Sequence, residues 1–138
     1  MTIVLEVEAG ELLLVRFSPM NVPKLVEDAE DSADELVARG EKPIYSISTF
    51  GLVKTPDASV EDLIVRICAE APCGGKTIWL TTGSALTEAG FEPRLSEPPP
   101  HHYDVVLGER LLVSDVERLV KSFEPGREKN PAWRKKRS

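Results

Sequence analysis

Three groups of residues in this chain have types and spacings suited to chemistry. The first is the pair His101 and His102, the only two histidines. They open the β-rich run Tyr103-Asp104-Val105-Val106-Leu107. An imidazole changes charge near neutral pH and serves as general base or metal ligand. Consecutive side chains of an extended segment point to opposite faces, so the two rings should not share one metal. One of them could face a cleft with Tyr103 or Asp104 beside it, against the simpler reading of a loop-to-strand anchor.

The second group is Thr81-Thr82-Gly83-Ser84, where a strand gives way to a helix. Exposed amides and hydroxyls at such a junction are the ingredients of an anion site. The simpler reading is helix capping by Thr82 and Ser84. Ser48-Thr49-Phe50-Gly51 ends another strand in the same style. A nucleophilic serine needs a base, and spacing puts none beside Ser84; no Gly-x-Ser-x-Gly elbow exists. Ser84, His101 and His102 are therefore weak catalytic candidates, and Thr81, Thr82 and Gly83 a candidate anion loop. A small enzyme acting on an anionic substrate at this loop, helped by a histidine, is the alternative functional reading.

The third group is charge. Residues 127–138 hold six basic side chains and one acidic, a net of +5. The first 126 residues hold the other 11 basic and 22 acidic side chains, a net of −11, and the whole chain carries −6. The acid is densest at 27–35, where Glu27, Asp28, Glu30, Asp31, Asp34 and Glu35 fall within nine residues. This cluster is a candidate docking face for a basic partner, against the simpler reading of a solvated helix face. Arg134, Lys135, Lys136 and Arg137 form a candidate electrostatic contact to an acidic partner or to phosphates. Four charges in a row supply salt-sensitive affinity but no base specificity.

Several chemistries are excluded. Gly75-Lys76-Thr77 would need a glycine at position 70 to make a phosphate loop, and Glu70 stands there. No Gly-x-Gly-x-x-Gly follows a strand, which removes the main support for a dinucleotide site. Cys68 and Cys73 have neither redox-pair nor zinc-knuckle spacing. They read as two unmatched thiols, which suggests a reducing compartment. No cofactor and no metal is expected. The longest apolar runs are far short of the ~18 residues a membrane helix needs, and acid at Glu6 comes too early for a signal peptide. A cytoplasmic protein with no membrane contact is expected.

The elements that must position these groups follow from periodicity. At 138 residues and 15.2 kDa, one self-sufficient domain is expected. Residues 3–7 and 11–17 are β-rich and read as a hairpin, or as one strand preceded by a loose arm. Val22, Leu25, Val26, Ala29, Ala33, Leu36 and Val37 keep helical spacing, with Asn21 to cap, Pro23 in the first turn and Gly40 to end it. Pro43 to Phe50 alternates as a strand that starts at Pro43 or Ile44. Ser59 with Asp62 opens a second helix, and Lys76 to Thr82 is the best strand of the chain. A short helix follows from Ser84 to Ala89. After the last strand, Ser114-Asp115-Val116-Glu117 has the form of a capping box.

The order β-β-α-β-α-β-α-β-α predicts an α/β fold with a mixed, largely parallel sheet flanked by helices. The expected division is an acidic domain over 1–126 and a disordered basic tail over 127–138. No family resemblance emerges. The leading expectation is a non-enzymatic binding or regulatory module, such as an antitoxin- or immunity-like inhibitor or an accessory subunit. It would engage a protein partner or a second copy of itself through the acidic helix and the basic tail. A third reading is a nucleic-acid binder working through the tail.

Overall fold

Leu12-Leu13-Leu14-Val15 is apolar at every position, the pattern of a strand covered on both faces. The computed structural model describes residues 3–71 and 74–133. It places β1 (Leu12–Arg16) inside the sheet, between two other strands. Leu14 enters one hydrophobic cluster, and Leu13 and Val15 enter another.

The elements in order are β1, α1 (Val22–Ala38), β2 (Tyr45–Val53), α2 (Val60–Glu70), β3 (Thr77–Thr82), α3 (Gly83–Glu88), β4 (Glu92–Leu95), β5 (His102–Gly108), α4 (Val113–Phe123) and β6 (Arg127–Lys129). The six strands form one sheet in the order β4-β5-β2-β1-β3-β6, and neighbours pair antiparallel throughout. The expected largely parallel sheet is therefore wrong. Strand–helix alternation gives the order of elements but not the direction in which a helix returns the chain. A parallel crossover needs the helix to cross a sheet face back to the strand's starting end. Here β1 pairs with β2 only over residues 50–53 of β2. Helix α1 instead lies beside the start of β2, where Ser32 hydrogen-bonds Ser46 across 2.8 Å. The chain then enters β2 from that side, antiparallel to β1.

The first cluster lies under α1, α3 and α4, and contains Leu25, Ala29, Ile47, Leu86, Val105, Leu119 and Phe123. The second lies under α2, with Leu63, Ile64, Ile67, Ile78 and Leu80. Residues 3–7 do not pair as a strand; Ile3, Leu5 and Val7 pack on the second cluster, so the loose-arm alternative holds.

Two pieces were not foreseen. β4 contains Pro93, and β6 is the charged triplet Arg-Glu-Lys; both sit at sheet edges, where proline and charge block further pairing. β6 also lies inside the expected tail, so ordered structure continues past residue 126. Gly126 leads into it by passing so close to β3 that a Cβ would come within 2.0 Å of the Leu80 carbonyl oxygen. The Asn130 side chain then donates to the Gly75 carbonyl, and Lys76 stands over the Trp133 ring. Arg134, Lys135, Lys136 and Arg137 lie outside the described residues.

Cys68 is partly buried against the second cluster and is disulfide-bonded. The expectation of two unmatched thiols fails, and the compartment inferred from them loses its support; Cys73 lies outside the described residues. Among the described residues, no helix is long and apolar enough to cross a membrane.

Candidate functional site

The polar site begins with strand alternation. In β2, Ile47 and Thr49 point into the protein, while Ser48 is exposed and Phe50 half-buried. β5 pairs with it so that Ser48 stands opposite Asp104 and Phe50 opposite His102. Directly opposed residues share a sheet face, and diagonal ones remain within reach of long side chains. Ser48, Phe50, His102 and Asp104 therefore form one block.

His102 is fixed from several sides. Its Nδ1 lies 2.9 Å from the Ser96 carbonyl oxygen, and its Nε2 lies 2.6 Å from Ser48 Oγ. A carbonyl oxygen only accepts, so Nδ1 carries the proton donated to Ser96. In the neutral ring, Nε2 is then the acceptor and the Ser48 hydroxyl the donor. Asp104 Oδ1 stands 3.8 Å from the same Nε2. The ring meets Phe50 edge-on at 5.4 Å, and Phe50 meets Phe17 at 5.9 Å. His101 leaves in the other direction. It has a φ of 66°, unusual for a residue with a Cβ. Its Nε2 hydrogen-bonds Glu70 at the end of α2, and the contact lowers the Glu70 pKa. The expected divergence of the two rings is present.

Helix α1 forms the opposite wall. Asn21 caps it by accepting from the Lys24 amide, as its sequence suggests. With Leu25, Ala29 and Ala33 in the core, helical spacing splits the acidic cluster in two. Asp28, Asp31 and Glu35 line a groove facing β2 and β5, whereas Glu27, Glu30 and Asp34 line neither hollow described here. The groove encloses about 660 Å³. A second hollow of about 330 Å³ continues it, sharing Ser32, Glu35, Ser46, His102 and Asp104 and adding Arg39 and Arg94 to its lining.

Arg16 closes the floor. It is 2% exposed at the end of β1, and its Nη2 lies 2.5 Å from Asp28. Its Nη1 donates to the Ser48 carbonyl at 3.0 Å, an acceptor beyond the stretch of β2 paired with β1. Among the described residues, the buried Arg16 Nε has no hydrogen-bond partner. Lys24 also approaches Asp28, at 3.3 Å. The groove thus sets four carboxylates, Asp28, Asp31, Glu35 and Asp104, against one guanidinium that Asp28 already engages. The Glu27, Asp28 and Asp31 carboxylates come within 4.8 Å of one another, but the two cations on Asp28 argue against a metal there.

The Thr81–Ser84 loop lies elsewhere and lines neither hollow. Thr81 is buried, and the Thr82 hydroxyl caps α3 by accepting from the Ala85 amide. The Ser84 amide, which an anion would need, donates to Glu11 Oε1 at 2.9 Å. Hydrogen bonds from Ser84 and Thr82 hold the Glu11 carboxyl below its usual pKa. The protein's own carboxylate occupies the place expected for a ligand. The histidines and this loop do not meet.

Sequence reasoning named Asp28, Asp31, Glu35 and His102 but missed Arg16 and Ser46 and gave Ser48 no partner. The signal for Ser48 was the alternation Ser46-x-Ser48-x-Phe50, paired with His102-x-Asp104. It becomes readable only once β2 and β5 are known to be neighbours. Fold and site define a mixed α/β domain with an antiparallel six-stranded sheet and an acidic groove. Comparisons with protein families, with curated proteins and with solved structures return no match for this chain.

Proposed function

We propose that this protein is a binding module whose acidic groove receives a cationic segment of a protein partner, in the manner of a small inhibitor or accessory subunit. The observation that carries the reading is the surplus of carboxylate in the groove, with Asp31, Glu35 and Asp104 uncommitted to Arg16. Like-signed charge in a concave wall focuses the field and attracts the opposite charge. The same field repels a phosphate backbone, which disfavours nucleic acid in the groove. A cytoplasmic setting remains an expectation, without help from the cysteines.

The test uses a labelled oligolysine peptide and the full chain, read by fluorescence anisotropy. The variant Asp31→Asn/Glu35→Gln should weaken binding at least tenfold. The variant Glu30→Gln/Asp34→Asn, on the same helix but outside the groove, should change it less than threefold. Binding should weaken as salt is raised. Equal losses in the two variants, or no saturable binding at low salt, overturns the reading.

A further inference from the structure

We propose that Ser48 is an activated nucleophile that takes an acyl group from an ester and passes it to water, with His102 as general base. The geometry points to this because three conditions for an activated serine meet here. The hydroxyl is within hydrogen-bond reach of an imidazole nitrogen, at 2.6 Å. A third group, the Ser96 carbonyl, fixes the tautomer that leaves this nitrogen able to accept a proton. The serine side chain is exposed and lines the 660 Å³ groove, so a substrate can approach it.

The supports of the pair are rigid. Ser48 is central in a nine-residue strand, and its carbonyl is held by the buried Arg16. The other end of the pair is anchored twice, because the Ser96 amide also donates to the His102 carbonyl at 2.8 Å. Phe50 supports the ring at its edge.

The step balances as follows. Ser48 Oγ attacks the ester carbonyl carbon while its proton passes to His102 Nε2. The resulting imidazolium is stabilised by Asp104, 3.8 Å away. The tetrahedral species collapses, the C–O bond to the alcohol breaks, and the alcohol leaves with the proton from Nε2. Water, as the second substrate, repeats the sequence on the acyl-serine and releases the acid. No redox partner is required. General-base assistance contributes about 10²–10⁴-fold, so slow turnover of activated esters is expected. The groove carboxylates favour esters with an ammonium group, and this preference alone rests on the reading of the groove as a cation site.

The experiment treats the full chain with a fluorophosphonate probe and maps the adduct by peptide mass spectrometry. It then compares acetylcholine with its uncharged isostere 3,3-dimethylbutyl acetate as substrates. A single dominant adduct on Ser48 is expected. His102→Gln should slow its formation at least tenfold, and Ser48→Ala should abolish ester turnover. Absence of an adduct, or one spread equally onto exposed Ser84 and Ser114, overturns the proposal without any variant. So does a fall of less than tenfold in a folded His102→Gln protein. An adduct on Ser48 with no preference for the cationic ester upholds the nucleophile and removes the cation site.

Discussion

Two hydroxyl-bearing clusters in this molecule look alike in sequence and are used differently. Thr81-Thr82-Gly83-Ser84 ends β3, and Ser46-Ile47-Ser48-Thr49 runs through β2. The first is satisfied internally, its amide and hydroxyl groups committed to Glu11 and to the first turn of α3. The second faces a groove, and its hydroxyl meets an imidazole. The difference lies in what crosses each cluster. Glu11, just before β1, reaches the first; among the described residues no carboxylate bonds Ser48, whose partners come from β5 and from the buried Arg16. Composition alone therefore does not separate a capping loop from a site.

The largest expected effect breaks the groove side. Arg16→Met leaves the Ser48 carbonyl and Asp28 without their guanidinium. Removing one partner of a buried ion pair costs ~3–5 kcal/mol. Asp28 keeps 25% of its side chain in contact with water, so a loss of about 2–3 kcal/mol is expected. Urea unfolding checks this, and a loss below about 1 kcal/mol would show that Arg16 does not hold the floor of the groove.

The next effect tests the other cluster. Glu11→Gln replaces a charged acceptor at the Ser84 amide with a neutral one, which should cost about 1 kcal/mol at neutral pH. The Glu11 pKa is lowered in the folded protein, chiefly by its hydrogen bonds with Ser84. A depressed carboxyl stabilises the fold above its unfolded pKa and loses that contribution as pH falls through the folded one. The gap between wild type and variant should therefore close in acid. A gap that stays constant from neutral pH to below the ordinary carboxylate range would contradict this role.

These comparisons also show how much was legible. Local signals held where the chain acts on itself. Asn21 caps α1, and Ser59 with Asp62 forms a full capping box on α2. Ser114-x-x-Glu117 failed, because α4 starts at Val113 with Leu112 as its N-cap and Ser114 inside the helix. The motif was present, but in the wrong register to cap. Non-local facts were not legible. Neither strand direction nor the neighbours of β2 can be read from periodicity, so the parallel sheet was expected and the Ser48–His102 pair was not. β4 and β6 were hidden for the same reason, since a strand with proline and one of three charged residues make sense only as edges. The acidic stripe was partly legible: 28, 31 and 35 share a face at helical spacing, but only the fold shows that this face lines a groove.

The smallest expected effect separates binding from stability on α1. Asp31 has like-charged residues at all four neighbouring helix positions, Glu27, Asp28, Asp34 and Glu35. Glu30 has two, Glu27 and Asp34, with Val26 and Ala33 at the other positions. Each like-charge pair costs roughly 0.2–0.5 kcal/mol in an exposed helix, and salt screens it. Asp31→Asn should therefore raise stability by about 0.8 kcal/mol at low salt, the low end for four pairs and more than Glu30→Gln, with the gain fading at high salt. The same change removes an uncommitted carboxylate from the groove and should weaken oligolysine binding. A variant more stable yet poorer at binding is what a charge retained for a partner predicts. If Asp31→Asn instead leaves both properties unchanged, the inward carboxylates are an ordinary solvated face, and the contrast between the two sides of α1 loses its meaning.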